Sequence, residues 1–358
     1  MPLKLYQKIY YGAPGTGKSF AINKLIIKDN GLEGISDEEF NQLPFVFRTT
    51  IYPDYSYSDF VGSVMPIVKR DVITYSFSSG IFTRALNYAL KNPEEMTYLV
   101  IEEMSRGNVA AIFGDLFQLL DRNTEGMSTY YINNELIAKK LSRAIEMVNL
   151  SLKDGATDTS IKKIFLPKNL SILGTVNTSD QNVFVMDTAF KRRFDFEYVS
   201  IDPVDQKDGT YFNDFIFCLG KRQVSWIDFY QELNNFIVNE AQLDEDKQIG
   251  QFFIQGKLGY NEDAISENTF SVKNKLLQYL WEDVNDLIIG GESIFTENIK
   301  SFSQLYKAFE QVNVFNENIK IKSVEERIGN YADFIVGNID EDEWFSGGIS
   351  KINRLGRR

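Results

Sequence analysis

"KIYYGAPGTGKSFAINKLII", residues 8–27, carries the pattern G-x-x-x-x-G-K-[ST] from Gly12 to Ser19. Its flanks decide how the pattern reads. Lys8 to Tyr11 has the apolar, aromatic character of the end of a buried strand, and Ser19 to Ile27 has a helical pattern. Between them Gly12, Gly15 and Gly17 permit backbone angles that residues with a Cβ resist. A strand, a glycine loop and a helix in that order turn successive N–H groups inward around an anion, with the helix N-terminus behind it. In this pattern Lys18 reaches the β- and γ-phosphates of a nucleotide and Ser19 binds Mg²⁺. The candidate nucleotide-binding stretch is Gly12, Ala13, Pro14, Gly15, Thr16, Gly17, Lys18, Ser19 and Phe20. A glycine-rich turn matching by chance is the alternative, and the order of the flanking elements disfavours it.

The chain has 358 residues, enough for one large or two moderate domains with a sizeable core. It is 43% hydrophobic without a long apolar run, so no membrane-spanning helix is expected. The amino terminus lacks the basic and apolar regions of a signal peptide, which points to the cytoplasm. The one cysteine, Cys218, excludes an internal disulfide framework and reads as a small core residue. With no histidine, the chain supplies neither histidine-based catalysis nor a histidine-ligated metal. A net charge of −12 opposes broad nonspecific DNA binding, although a local basic channel remains compatible with it.

Downstream, "PFVFRTTIYPDYSYSDFVGS" (44–63) predicts a strand from Phe45 to Thr50 and then a turn. Its aromatic cluster, Tyr52, Tyr55, Tyr57 and Phe60, is expected to pack on a sheet. "DVITYSFSSGIFTRALNYALKN" (71–92) predicts a short strand, a turn at Gly80 and an amphipathic helix. In "TYLVIEEMSRGN" (97–108) the continuous apolar run Tyr98 to Ile101 reads as a strand inside a parallel sheet. Glu102 and Glu103 follow at its carboxyl end, where ligand crevices of such sheets lie. One carboxylate suits a Mg²⁺ shell and the other suits orienting or deprotonating a water. Without the phosphate loop the pair would read as a solvated acidic turn. "AAIFGDLFQLLDRN" (110–123) predicts a continuous amphipathic helix, and residues 134–160 a further helix and a polar loop.

"FLPKNLSILGTVNTSDQNVFVMDTAFKRRFDFEYVSI" (165–201) predicts another buried strand, Leu170 to Val176, ending in Asn177. The Asn177 amide can hydrogen-bond an attacking water or a phosphate. A short helix from Asp187 ends in Lys191, Arg192 and Arg193. Such cations either supply an arginine finger to a nucleotide or cap the helix through its dipole, and the two roles are compatible. From about residue 206 the text turns to helical stretches at 226–241, 274–289 and 301–313, with an extended segment at 249–260.

These blocks, in this order, resemble the AAA+ superfamily of P-loop NTPases. Within it they resemble the McrB group, the motors of methylation-dependent (type IV) restriction. GAPGTGKS resembles the group's Walker A motif and "LVIEEMSRGN" its Walker B, with Arg106 and Asn108 matching the extended block. "GTVNTSDQNVFVMDTAFKRRF" resembles the signature that generic members of the superfamily lack. The resemblance covers roughly residues 5 to 205 well, and continues weakly through "DKQIGQFFI" and "NKLLQYLWED". It implies an α/β AAA+ domain (1–205) with a parallel sheet flanked by helices, a smaller helical lid (206–320) and a tail (321–358). It implies that Glu102 holds the metal, that Glu103 is the catalytic glutamate and that Asn177 is the sensor, with Thr178 and Asp180 in the same loop. Arg192 and Arg193 become candidate fingers acting on a neighbouring subunit.

The resemblance further implies GTP, with ATP as the alternative, together with Mg²⁺. It implies a ring, a hexamer in the group, and a separate McrC-like nuclease partner through which the complex engages DNA. No nuclease constellation stands in this sequence. An AAA+ remodelling or assembly factor acting on protein partners is the competing class. The chain departs from the group's pattern at Glu102, where an aspartate is usual, and at Ser105, Val176 and Gln181. The first strand begins a few residues into the chain, so an amino-terminal DNA-reading domain is not expected.

Overall fold

The computed structural model describes residues 3–69, 71–141, 163–179, 186–205 and 211–325. Asp180, Gln181, most of the 134–160 segment and the tail beyond 325 lie outside the described residues. The strands, in chain order, are β1 (Gln7–Gly12), β2 (Val46–Thr50), β3 (Gly62–Lys69), β4 (Val72–Ser79), β5 (Thr97–Glu102), β6 (Ile132–Asn133), β7 (Lys163–Ile164), β8 (Leu170–Asn177), β9 (Asp195–Tyr198), β10 (Ile216–Leu219) and β11 (Arg222–Ser225). They divide between two compact units, the first made of Met1–Tyr11 and Lys18–Tyr198, the second of Gly12–Gly17 and Val199–Arg358.

The first unit is built on a five-stranded sheet in the order β2-β5-β8-β1-β9, with the pairs β2–β5, β5–β8 and β1–β9 parallel. Every residue of β5 is buried, as an apolar run at the centre of a covered sheet requires. The helix Lys18–Asp29 buries Lys18, Ile22 and Ile26, one stripe at four-residue spacing. The helix Ile81–Lys91 buries most of its length, including Phe82, Leu86 and Leu90. Half-buried Arg122 ties the surrounding segments together. Its guanidinium donates to the backbone oxygens of Gly126, Leu166, Pro167 and Leu170 and to Gln7 Oε1. Desolvation of the guanidinium lowers its pKa to about 9.

Three local expectations are revised. The predicted helix 110–123 is interrupted: an α-helical turn, Val109–Phe113, passes into a 3₁₀ segment, Gly114–Leu120. Gly114 adopts a positive φ of 51° there, and a Cβ would stand 3.0 Å from the Tyr57 ring. The strand in 71–92 is longer than expected because it pairs antiparallel with β3 in a hairpin. Of the aromatic cluster, Phe60 is buried and Tyr55 and Tyr57 pack on the core, but Tyr52 is about half exposed and stacks only edge-on to Tyr55.

The second unit combines the β10–β11 hairpin with the helices Trp226–Asn239, Glu262–Tyr279 and Phe302–Ala308. Ser225, Asn261 and Ser301 cap these helices by accepting from the backbone N–H three residues on. Trp226, Phe215, Phe217 and Phe229 form the centre of its core. The predicted helix 274–289 begins earlier, at Glu262, and ends in a π turn, Leu280–Val284. Cys218 is half-buried. No helix among the described residues is long and apolar enough to cross a membrane.

Candidate active site

Consecutive residues of a strand point to opposite faces, so Glu102 and Glu103 would diverge if β5 simply continued. They do not, because Glu103 adopts left-handed backbone angles, φ 57° and ψ 44°. A non-glycine residue there carries strain of order 1 kcal/mol, and such strain concentrates at functional positions. The turn brings both carboxylates to the end of β8. There Thr175 and Asn177, two residues apart, share one strand face.

Thr175 is buried and serves both acids. Its hydroxyl donates to Glu102 Oε2 at 2.5 Å and accepts the Glu103 backbone N–H at 3.0 Å. Asn177 Nδ2 donates to both oxygens of Glu103, at 2.9 and 2.8 Å. Arg106 Nε donates to Glu103 Oε2 at 3.3 Å from the 3₁₀ turn that follows. The Glu103 side chain remains 28% exposed. Asn108 acts locally, accepting the Ala111 N–H as a helix N-cap.

Ser19 lies in the first turn of the Lys18–Asp29 helix, and its hydroxyl donates to Glu102 Oε2 at 3.0 Å. A hydroxyl and a carboxylate oxygen side by side are hard donors of the kind Mg²⁺ takes, and Mg²⁺ completes its shell from phosphates and water. Among the described residues no group of three or more carboxylate or thiolate side chains could hold an ion unaided. Glu102 has a further partner: Arg48 of β2 donates to its Oε1 through one guanidinium nitrogen and to Asn23 Oδ1 through the other. Arg48, Asn23 and Thr175 were not singled out by sequence pattern. The one signal was the two-residue spacing of Thr175 from Asn177.

In the second unit, Gly12–Gly17 is held by residues 249–253. Gly250 N–H donates to the Pro14 carbonyl at 2.8 Å, and Phe252 N–H donates to the Gly15 carbonyl at 2.7 Å. The two backbones touch. A Cβ on Gly250 would stand 2.3 Å from Thr16 N, and one on Gly15 would stand 2.4 Å from Phe253 N. The strap is itself fixed. Asn234 exchanges hydrogen bonds with Ile249, while the Gln251 carbonyl accepts from Trp226 Nε1 and Asn213 Nδ2. Within the loop, Thr16 Oγ1 donates to the Ala13 carbonyl at 3.0 Å. Lys18 is buried and Phe20 exposed. Gly250→Ala is therefore expected to displace the loop and to weaken nucleotide binding at least about tenfold, with an overpacking loss of roughly 1–3 kcal/mol in stability. A fluorescent-nucleotide titration beside a thermal melt checks this, and wild-type affinity in the variant would refute it.

The short helix Thr188–Lys191 is capped by Asp187, which accepts the Phe190 N–H at 2.6 Å. Phe190 is buried and stacks on Phe194 at 5.0 Å. The arginines that follow differ sharply. Arg193 is inward: its side chain is 8% exposed, pairs with Asp121 at 2.7 Å, donates to the Ala189 carbonyl and lies 4.1 Å over the Phe117 ring. Its own carbonyl accepts from Gln7 Nε2. Arg192 is exposed, and its side chain makes no hydrogen bond or ion pair among the described residues. Thr178 is exposed at the end of β8.

The chain is 33% identical over 336 residues to the type II restriction enzyme BsuMI component YdiS of Bacillus subtilis, covering 87% of this chain and 88% of that protein. It is 25% identical over 195 residues to the type IV methyl-directed restriction enzyme EcoKMcrB subunit of Escherichia coli, covering 54% of this chain and 35% of that protein. A solved structure from Cytophaga hutchinsonii, provisionally described as an ATPase, superposes with a TM-score of 0.25 at 15% identity, over 54% of this chain and 41% of that chain, too loosely to bear on the fold. No family model matches. The glycine loop, the paired acids at the end of a central parallel strand and a relative that spans nearly the whole chain agree: this chain belongs to the McrB-like AAA+ proteins.

Proposed function

We propose that the chain is the nucleotide-hydrolysing motor subunit of a McrBC-like restriction complex, forming a ring and driving a separate nuclease subunit on DNA. The observation that carries the reading is the Glu102–Thr175–Glu103–Asn177 set, in which one buried hydroxyl holds the Glu102 carboxylate and the Glu103 backbone while Asn177 holds the Glu103 carboxylate. The restriction context rests on the two relatives' names.

In this reading the backbone of Gly12–Gly17 and the amine of Lys18 bind the phosphates, and the Ser19 hydroxyl and Glu102 take the metal. Mg²⁺, when bound, neutralises charge developing between the β- and γ-phosphates. Glu103 orients the attacking water and accepts its proton, while Asn177 holds the carboxylate from behind. Arg192 points outward as the finger for a neighbouring subunit's nucleotide. Arg193 fixes the helix that carries it, through Asp121 and Phe117.

Lys18→Ala is expected to abolish tight nucleotide binding, because an amine on the phosphates acts in ground and transition state alike. Glu102→Ala should remove most Mg²⁺-dependent turnover, whereas Glu102→Asp, which restores the group's usual residue, should keep it. Silence of Glu102→Ala would remove that residue from the metal shell. The functional test is phosphate release from GTP and from ATP, each with and without a McrC-like nuclease subunit. GTP turnover stimulated by that partner is the expected result. Turnover stimulated only by an unrelated protein substrate would favour a remodelling factor.

A further inference from the structure

The metal-shell acid is a glutamate where the family's pattern has an aspartate, and the extra methylene gives the carboxylate more reach and more freedom. Its position is nevertheless fixed on both oxygens. Oε2 accepts from Ser19 and Thr175, and Oε1 accepts from Arg48. Arg48 sits on β2, the strand next to β5, and pairs in register with Val100, two residues before Glu102. Its second nitrogen is engaged by Asn23, from the helix that begins at Lys18. The planar fork thus joins the two elements that carry the proposed metal ligands.

We propose that Arg48 is a positioning residue that sets the divalent-cation affinity of this site. It holds Oε1, so Glu102 offers a cation one oxygen, Oε2, rather than a bidentate grip. Its positive charge also opposes a dication arriving beside the same carboxylate. The consequence is a site too weak to retain Mg²⁺ by itself, so that the ion enters with the triphosphate and leaves with the product. This rests on the assignment of Ser19 and Glu102 as the metal position.

The test is a Mn²⁺ titration followed by electron paramagnetic resonance, with a non-hydrolysable triphosphate analogue bound and at low salt, so that catalysis plays no part. Arg48→Gln is expected to tighten Mn²⁺ binding roughly fivefold or more, and Arg48→Lys, which keeps the charge, to stay within about twofold of wild type. Asn23→Asp offers the guanidinium a competing carboxylate and should shift the affinity in the same direction as Arg48→Gln. Equal or weaker Mn²⁺ binding by a folded Arg48→Gln overturns the proposal. If that variant fails to fold, unchanged affinity in Asn23→Asp overturns it instead. Glu102→Ala separates the two claims. If it binds Mn²⁺ as wild type does, the metal assignment itself falls and this inference falls with it. If Glu102 is required but the Arg48 variants match wild type, only the role of Arg48 is lost.

Discussion

Glu103→Gln is expected to bind Mg²⁺ and nucleotide with near wild-type affinity while hydrolysis falls about 10²–10⁴-fold, the range of a lost general base. The substitution keeps the shape of the side chain and one acceptor oxygen, and replaces the other oxygen with a donor NH₂. With the amide oxygen in the place of Oε2, Asn177 Nδ2 and Arg106 Nε can still donate to it, and the bond from the backbone N–H to Thr175 is untouched. What disappears is a carboxylate able to take the water's proton in the transition state, so the loss belongs in kcat rather than in binding. Rapid-quench hydrolysis alongside equilibrium nucleotide titration separates the two, and a near wild-type rate would remove Glu103 from the chemistry. The left-handed backbone at Glu103 sharpens the expectation. A residue held at φ 57° gains nothing in local stability from that conformation, but gains a direction for its side chain.

Arg192→Ala should bind nucleotide normally and lose on the order of 10³-fold in turnover, as expected for a finger that acts on another subunit's phosphates. Arg193→Ala should behave differently. It breaks the ion pair to Asp121 and empties the space over Phe117. A stability loss of about 2–3 kcal/mol is the expected signature, with turnover impaired through a loosened helix. Thermal melts and steady-state kinetics on the two variants distinguish these roles. If Arg192→Ala melts early and Arg193→Ala does not, the assignment is reversed.

Much of the candidate site was legible because its signals are local. The glycine loop, the apolar strand before Glu102 and the Asp187-capped turn before the arginines each lie within a dozen residues, and period and spacing report on neighbours of that kind. The choice between Arg192 and Arg193 was not legible. Adjacent cations look alike in a sequence, and only the packing of Asp121 and Phe117 around one of them separates the pair. Arg48 and Thr175 escaped for a related reason. Arg48 lies 54 positions from Glu102 in the chain and Thr175 lies 73, and the sheet order β2-β5-β8 makes them neighbours. The strap at 249–253 read only as an extended segment, because its role depends on two glycines meeting backbone to backbone, Gly250 against Gly15 and Thr16. The break at Gly114 was hidden by an apolar stripe that continues through it: Ile112, Phe113, Leu116, Leu119 and Leu120 are all buried although the helix type changes between them.

The central claim is a nucleotide site completed by a neighbour, with Glu103 supplied by one subunit and Arg192 by the next. Phosphate release from a mixture of Glu103→Gln and Arg192→Ala chains tests it most directly. Each variant alone should be nearly inactive. In mixed assemblies some interfaces join an intact Glu103 to an intact Arg192, so activity should return to a substantial fraction of wild type and rise with total protein concentration. A mixture no more active than its parts, together with wild-type turnover that is independent of concentration in a chain that stays monomeric with nucleotide bound, would contradict the account.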